Sequence, residues 1–85
     1  MHRATEQFWA RNNDLPTEVR SHADRAFGLL RSNPSHPSLY FKKVGGFWSA
    51  RVGLAFRALA VEDRDDFIWV WIGSHEEYER MLKGR

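Results

Sequence analysis

The stretch Phe67–Tyr78, FIWVWIGSHEEY, decides how the rest of the 85-residue chain is arranged. Its first six residues, Phe67 to Ile72, are all apolar. The run is too short to cross a bilayer, which takes ~20 residues. It is also too rich in β-branched and aromatic side chains for a surface helix. Such a run reads as a strand covered on both faces, near the middle of a sheet. Gly73 ends it, and Ser74-His75-Glu76-Glu77 then fits a capping box. In that motif the Ser74 hydroxyl accepts from the amide three residues on, while Glu77 reaches back to the Ser74 amide. A strand that turns directly into a capped helix puts His75 at the edge of the sheet, on the first helical turn, with Tyr78 one turn later.

Working backwards, Glu62–Asp66 (EDRDD) is a charged turn into that strand, and Phe56–Val61 and Phe47–Val52 are two strands around a turn at Gly53-Leu54-Ala55. Leu39–Val44 reads as a further strand at the sheet edge, followed by a Gly45-Gly46 turn. A three-residue loop at Gly53 pairs Val52 with Phe56, Arg51 with Arg57, Ala50 with Ala58 and Trp48 with Ala60. One face of the pair is then wholly apolar, and the other carries Ser49, Arg51, Arg57 and Leu59. A two-residue loop would drive Arg57 into the apolar face, where an unpaired charge is expensive. The three-residue register leaves two guanidinium groups side by side on the open face. Like charges directly opposite are destabilising, so a pair kept there suits a phosphate, which guanidinium binds through two parallel hydrogen bonds. Trp69 and Trp71 alternate onto one face and read as core.

Ahead of the strands, Thr5–Asn13 reads as a helix with Thr5 as N-cap and Phe8 and Trp9 on its buried side. Pro16 starts a second helix. Its stripe is Val19, Ala23, Ala26, Phe27 and Leu30, and its end lies near Asn33-Pro34. Residues 34–38 form a loop. The expected fold is therefore α+β, with two N-terminal helices packed on an antiparallel sheet, a short C-terminal helix, and one domain over residues 1–85. Four Trp, six Phe and two Tyr supply a dense core for so short a chain. There is no cysteine, which excludes disulfides and thiolate metal sites. No His/Asp/Glu group has metal-ligand spacing, so neither a metal nor a cofactor is expected. The polar start MHRATEQFW lacks a signal-peptide core, and a cytoplasmic protein with no membrane partner is the expectation. The net charge of +2 is modest, but Lys42, Lys43, Arg51 and Arg57 fall together with no acid between them.

These residues also carry a family likeness. Leu15-Pro16-x-x-Val19, then FKKVGGFWSARVGLAFRALAV, then IWVWIGSHEEYERML resemble the RelE/ParE superfamily of type II toxin–antitoxin toxins, its RelE-like branch in particular, from about Phe8 to Leu82. The resemblance implies a concave sheet face that grips messenger RNA. It implies a metal-independent endoribonuclease, acting with or without the ribosome, that inhibits translation and is neutralised by a cognate antitoxin. Arg57 matches the arginine that contacts the scissile phosphate, and Arg51 a basic position on the preceding strand. His75 falls where relatives place a His or Arg used in acid–base or phosphate work, and Tyr78 near a recurrent aromatic. Lys42 and Lys43 match basic residues facing RNA, and His36-Pro37 a His-Pro loop in one branch. The runner-up is a ParE-like inhibitor of DNA gyrase that cuts nothing, and a third reading is a member that only binds a protein partner. His75, Tyr78 and Arg57 together favour the nuclease. The family opens with a strand before its first helix, for which only Met1–Ala4 is available here.

Overall fold

The computed structural model describes residues 1–33 and 35–83. In chain order the elements are β1 (His2–Ala4), α1 (Glu6–Asn13), α2 (Thr17–Ser32), a 3-10 turn (Pro37–Leu39), β2 (Lys42–Val44), β3 (Phe47–Val52), β4 (Phe56–Asp63), β5 (Asp66–Ser74) and α3 (His75–Lys83). Among the described residues the strands form one sheet in the order β1-β5-β4-β3-β2, with α1 and α2 on one face. No described helix is long and apolar enough to cross a membrane.

Both helices start as expected. Thr5 is in extended backbone, and its hydroxyl accepts from the Phe8 N–H at 3.1 Å. Pro16 precedes α2, whose Ala23, Ala26 and Leu30 are buried against the sheet. Pro34, expected to stop this helix, lies outside the described residues. Trp9 does not share the burial of Phe8. It remains 40% exposed and stands edge-on to Phe27, in the groove between the helices.

The sheet is mixed rather than purely antiparallel. β1 runs parallel to β5, pairing His2 with Phe67, Arg3 with Ile68 and Ala4 with Trp69. The Phe67 and Thr5 amides extend the ladder by donating to Met1 O at 2.8 Å and to Trp69 O at 3.1 Å. Three residues thus cover the open edge of β5, which explains why its run is so continuously apolar. The central strand is β4, with β5 beside it.

The β3–β4 hairpin has the three-residue turn, and Gly53 supplies its positive φ of 63°. Arg51 pairs with Arg57, Ala50 with Ala58 and Trp48 with Ala60. The apolar face meets the helices, and Ala50, Val52, Ala58 and Ala60 join Phe8, Ala26, Leu30 and Ile72 in the core.

Two expectations fail on local geometry. Along β5, Ala60 pairs with Trp69 but Leu59 with Trp71, so Val70 is a bulge without a partner on β4. One extra residue inverts the alternation. Trp69, 1% exposed, lies in the core, whereas Trp71 shares the opposite face with Leu59. The two tryptophans are therefore not on one face. Upstream, the expected strand Leu39–Val44 shrinks to Lys42–Val44. Pro37–Leu39 forms the 3-10 turn, capped by His36, whose Nδ1 accepts from the Ser38 N–H at 3.2 Å. Tyr40 then takes the left-handed region at φ 45°, ψ 43°.

The capping box at the head of α3 is present. The Ser74 N–H donates to Glu77 Oε1 at 3.1 Å, and the Glu77 N–H donates to Ser74 Oγ at 3.1 Å. The Ser74 amide, with smaller help from its hydroxyl and from Arg11, holds the Glu77 carboxyl below its usual range, against an opposing push from burial. Arg11 ties three elements together. Its Nε donates to Ile72 O at 2.8 Å, its Nη2 reaches Glu77 Oε2 at 3.5 Å, and its guanidinium lies 5.3 Å over the Trp71 ring.

Candidate active site

On the sheet face away from α1 and α2, the paired strands and α3 enclose a hollow of ≈ 250 Å³. The strands contribute Lys42, Ser49, Arg51 and Arg57, α3 contributes His75, Tyr78 and Glu79, and Tyr40 closes one side. Three local rules bring them there. Strand alternation puts Lys42, Ser49, Arg51 and Arg57 on one face, because Lys42 pairs with Ser49 and Arg51 with Arg57. The capping box starts α3 at His75, so the first turn stands over that face. The His75 N–H also donates to Ala55 O at 2.8 Å, anchoring the helix start to the β3–β4 turn.

Among the described residues, neither guanidinium group is held in a contact ion pair: no carboxylate comes within 4.0 Å of Arg51 or Arg57. Glu62 and Glu77 are occupied elsewhere: Glu62 accepts from Trp48 Nε1 at 3.0 Å, and Glu77 caps α3. Arg57 Nη1 donates to Phe56 O at 2.8 Å. Burial, and then the charge of Arg51, push the Arg57 pKa below its ordinary value, with Tyr78 and Glu79 opposing. The Arg51 guanidinium lies 4.7 Å over the Tyr40 ring, while its buried Nε has no hydrogen-bond partner among the described residues. Such a pair is stabilised by an anion that accepts from both groups.

The α3 side of the hollow carries an imidazole, a phenol and a carboxylate. His75 Nε2 lies 3.3 Å from Glu79 Oε1, and its ring stacks on that of Tyr78, with centroids 6.0 Å apart at 28°. Tyr78 is buried, at 7% exposure, and serves as a wall against the imidazole. Among the described residues, no group of three or more His, Asp or Glu side chains is placed to hold a metal ion.

Of the residues singled out from sequence, Arg51, Arg57, His75, Tyr78 and Lys42 converge here, and Lys43 and His36 do not. Lys43 pairs with Trp48, on the opposite parity from Lys42, and borders a separate hollow beside Glu62 and Arg64. The His36 imidazole is committed to Ser38 as the cap of the 3-10 turn, with Ser38 Oγ 2.8 Å from Nδ1. Tyr40 and Glu79 were not anticipated. Glu79 was findable, since a residue four after His75 on a helix is its neighbour. Tyr40 was not, because its placement depends on the left-handed turn.

No protein family and no curated protein sequence matches the chain. Solved structures do. A chain of the RelB–RelE antitoxin–toxin complex from Methanococcus jannaschii matches with a TM-score of 0.73 at 14% identity, covering 93% of this chain and 96% of that one. YafQ from E. coli matches with a TM-score of 0.65 at 14% identity, over 92% and 96% of the two chains. The isolated E. coli RelE toxin matches with a TM-score of 0.63 at 11% identity, over 99% and 96%. The chain has the fold of the RelE-like toxins.

Proposed function

We propose that this protein is the toxin of a type II toxin–antitoxin pair and that it cleaves messenger RNA in the cytoplasm, without a metal, so that translation stops. The observation that carries this reading is the convergence of two unpaired guanidinium groups and an imidazole in one hollow of a RelE-like fold. In RNA cleavage by the neighbouring 2′-hydroxyl, charge builds up on a pentavalent phosphorus. Arg51 and Arg57 neutralise it from the strands, which are rigid and need no rearrangement at the moment of reaction. Lys42 holds an adjacent backbone phosphate. His75 transfers a proton, the task for which imidazole is suited because its charge changes near neutral pH. Tyr78 fixes the ring orientation by stacking. The cationic hollow also supplies the surface that an acidic antitoxin segment would cover, and a complex with a RelB-type partner follows from the likeness to the RelB–RelE structure.

The test is cleavage of a reporter transcript by purified protein, with and without programmed ribosomes, mapped by the 5′ ends it leaves. Removing Arg57 as Arg57→Ala is expected to slow cleavage ~10²–10³-fold, and removing His75 as His75→Ala ~10²–10⁴-fold. A transcript that survives intact with the unaltered protein under both conditions sinks the nuclease reading. Inhibition of DNA gyrase by the same preparation would then support the non-catalytic alternative.

A further inference from the structure

Cleavage by a 2′-hydroxyl needs two proton transfers, one from the attacking oxygen and one to the leaving 5′-oxygen, and a single imidazole supplies only one of them in each pass. Most of the hollow cannot supply the other. Lys42, Arg51 and Arg57 are cations with no acceptor capacity while charged, and Tyr40 and Tyr78 offer phenols. Glu79 is the one carboxylate among the described residues that line the hollow, and its oxygen lies 3.3 Å from His75 Nε2. Its charge reaches Arg57 across the cavity, since it opposes the shift that burial and Arg51 impose there.

Resting on the nuclease reading, we propose that Glu79 is the catalytic base and His75 the catalytic acid, working as a contact pair. The Glu79 carboxylate takes the proton from the ribose 2′-OH as that oxygen bonds to phosphorus. The bond from phosphorus to the 5′-oxygen breaks, and the His75 imidazolium gives its proton to that oxygen. The products are a 2′,3′-cyclic phosphate and a free 5′-hydroxyl, and atoms and charge balance without water or metal. The pair then holds a protonated carboxyl beside a neutral imidazole. Because the two touch in the free protein, the proton passes from Glu79 to His75 directly and restores the starting state. Three cations around one carboxylate, Lys42, Arg51 and Arg57, keep the hollow attractive to phosphate despite the negative base.

Single-turnover cleavage of an RNA that the intact protein cuts, followed from about pH 3.5 to 8.5, tests this with the Glu79→Gln, Glu79→Asp and His75→Gln variants. The intact protein is expected to show a bell-shaped profile and to leave cyclic phosphate ends. Glu79→Gln is expected to lose ~10²–10⁴-fold in rate together with the acidic limb of the bell, Glu79→Asp to regain part of the rate with that limb present, and His75→Gln to lose the basic limb. Both side chains are about half exposed, at 44% and 48%, so the variants keep the fold, which circular dichroism checks. Glu79→Gln protein that cuts within about threefold of the intact rate, or that slows while keeping the acidic limb, overturns the assignment, the latter by reducing Glu79 to a positioning role. Should the intact protein cut no RNA at all, the nuclease reading itself falls and takes this pair with it.

Discussion

The sharpest test of the packing around α3 is the substitution Gly73→Ala. Gly73 pairs with Arg57 in the sheet and has no left-handed φ, so its backbone accepts alanine and only the space refuses it. An added Cβ would stand 2.4 Å from Trp71 Cζ2 and 2.9 Å from Glu77 Oε1, whereas ordinary contact begins near 3.4 Å. The indole must therefore retreat by about 1 Å, away from the Arg11 guanidinium stacked over it. Overfilling of this kind costs ~1–3 kcal/mol, and the gain from replacing a strand glycine returns ~0.5–1 kcal/mol. The net expectation is a loss of roughly 0.5–2 kcal/mol, with Tm lower by roughly 2–16 °C for a domain of this size. The decisive measurement is a cycle of urea unfolding curves on the intact protein, Gly73→Ala, Trp71→Leu and the double variant. With the indole removed, Gly73→Ala should change sign and stabilise by ~0.5–1 kcal/mol. A cost that stays the same in the Trp71→Leu background refutes the clash as its origin, as does a neutral single variant. Gly46→Ala, where a Cβ would meet nothing within 4 Å, is the control and should not destabilise.

Three further outcomes are expected. Ser74→Ala should cost ~1 kcal/mol by removing the side chain that caps α3, while Glu77→Gln should keep the reciprocal hydrogen bond and abolish its pH dependence. Because the Glu77 carboxyl is held below its usual range, its contribution is present above the ordinary glutamate value and fades as the pH falls through the lowered one, so thermal unfolding at acid pH should separate the two proteins less than at neutral pH. His2 is pushed below its usual value by burial, then by the N-terminal ammonium and Arg31, and its Nδ1 accepts from Trp69 Nε1 at 3.0 Å. Its support for β1 is therefore full above the ordinary histidine range and lost as the pH drops through the depressed value; amide exchange of β1 should quicken on acidification, and His2→Phe should flatten that response. Arg57→Gln removes a charge held opposite Arg51, so its Tm should be no lower than that of the intact protein while cleavage falls ~10²–10³-fold. A large loss of stability in that variant would show the pair to be structural.

Much of this architecture can be read from residue patterns because the deciding features are local. The turn at Gly53 admits only one loop length that keeps Arg57 off the apolar face, and the whole β3–β4 register follows from it. The capping box is legible because it spans four residues. Three things escape such reading. The pairing of β1 involves three residues with no periodicity, and their partners lie 65 positions away, as with His2 and Phe67. The 3-10 turn that shortens β2 depends on an imidazole acting as a cap, which no apolar pattern records. In a continuous apolar run every residue suits either side of a sheet, so nothing marks Val70 as the one that drops out of pairing. The same limits shape the candidate site. Strand parity separates Lys42 from Lys43 once the pairing of β2 is known, and Glu79 stands next to His75 as soon as α3 is a helix. Tyr40 reaches the hollow only through its left-handed backbone.

The unpaired Val70 has a consequence that reaches beyond the two tryptophans. Side chains along a strand switch sides at every step, so one surplus position turns over all that follows it. Were Val70 instead paired in strict alternation, Trp71 would face the helices and the second half of β5 would lie upside down, with Ile72 facing out and α3 departing from the wrong side of the sheet. His75 and Glu79 would then sit across a layer of backbone from the arginines. One unpaired residue, itself no part of the hollow, thus decides on which side of the sheet α3 completes it.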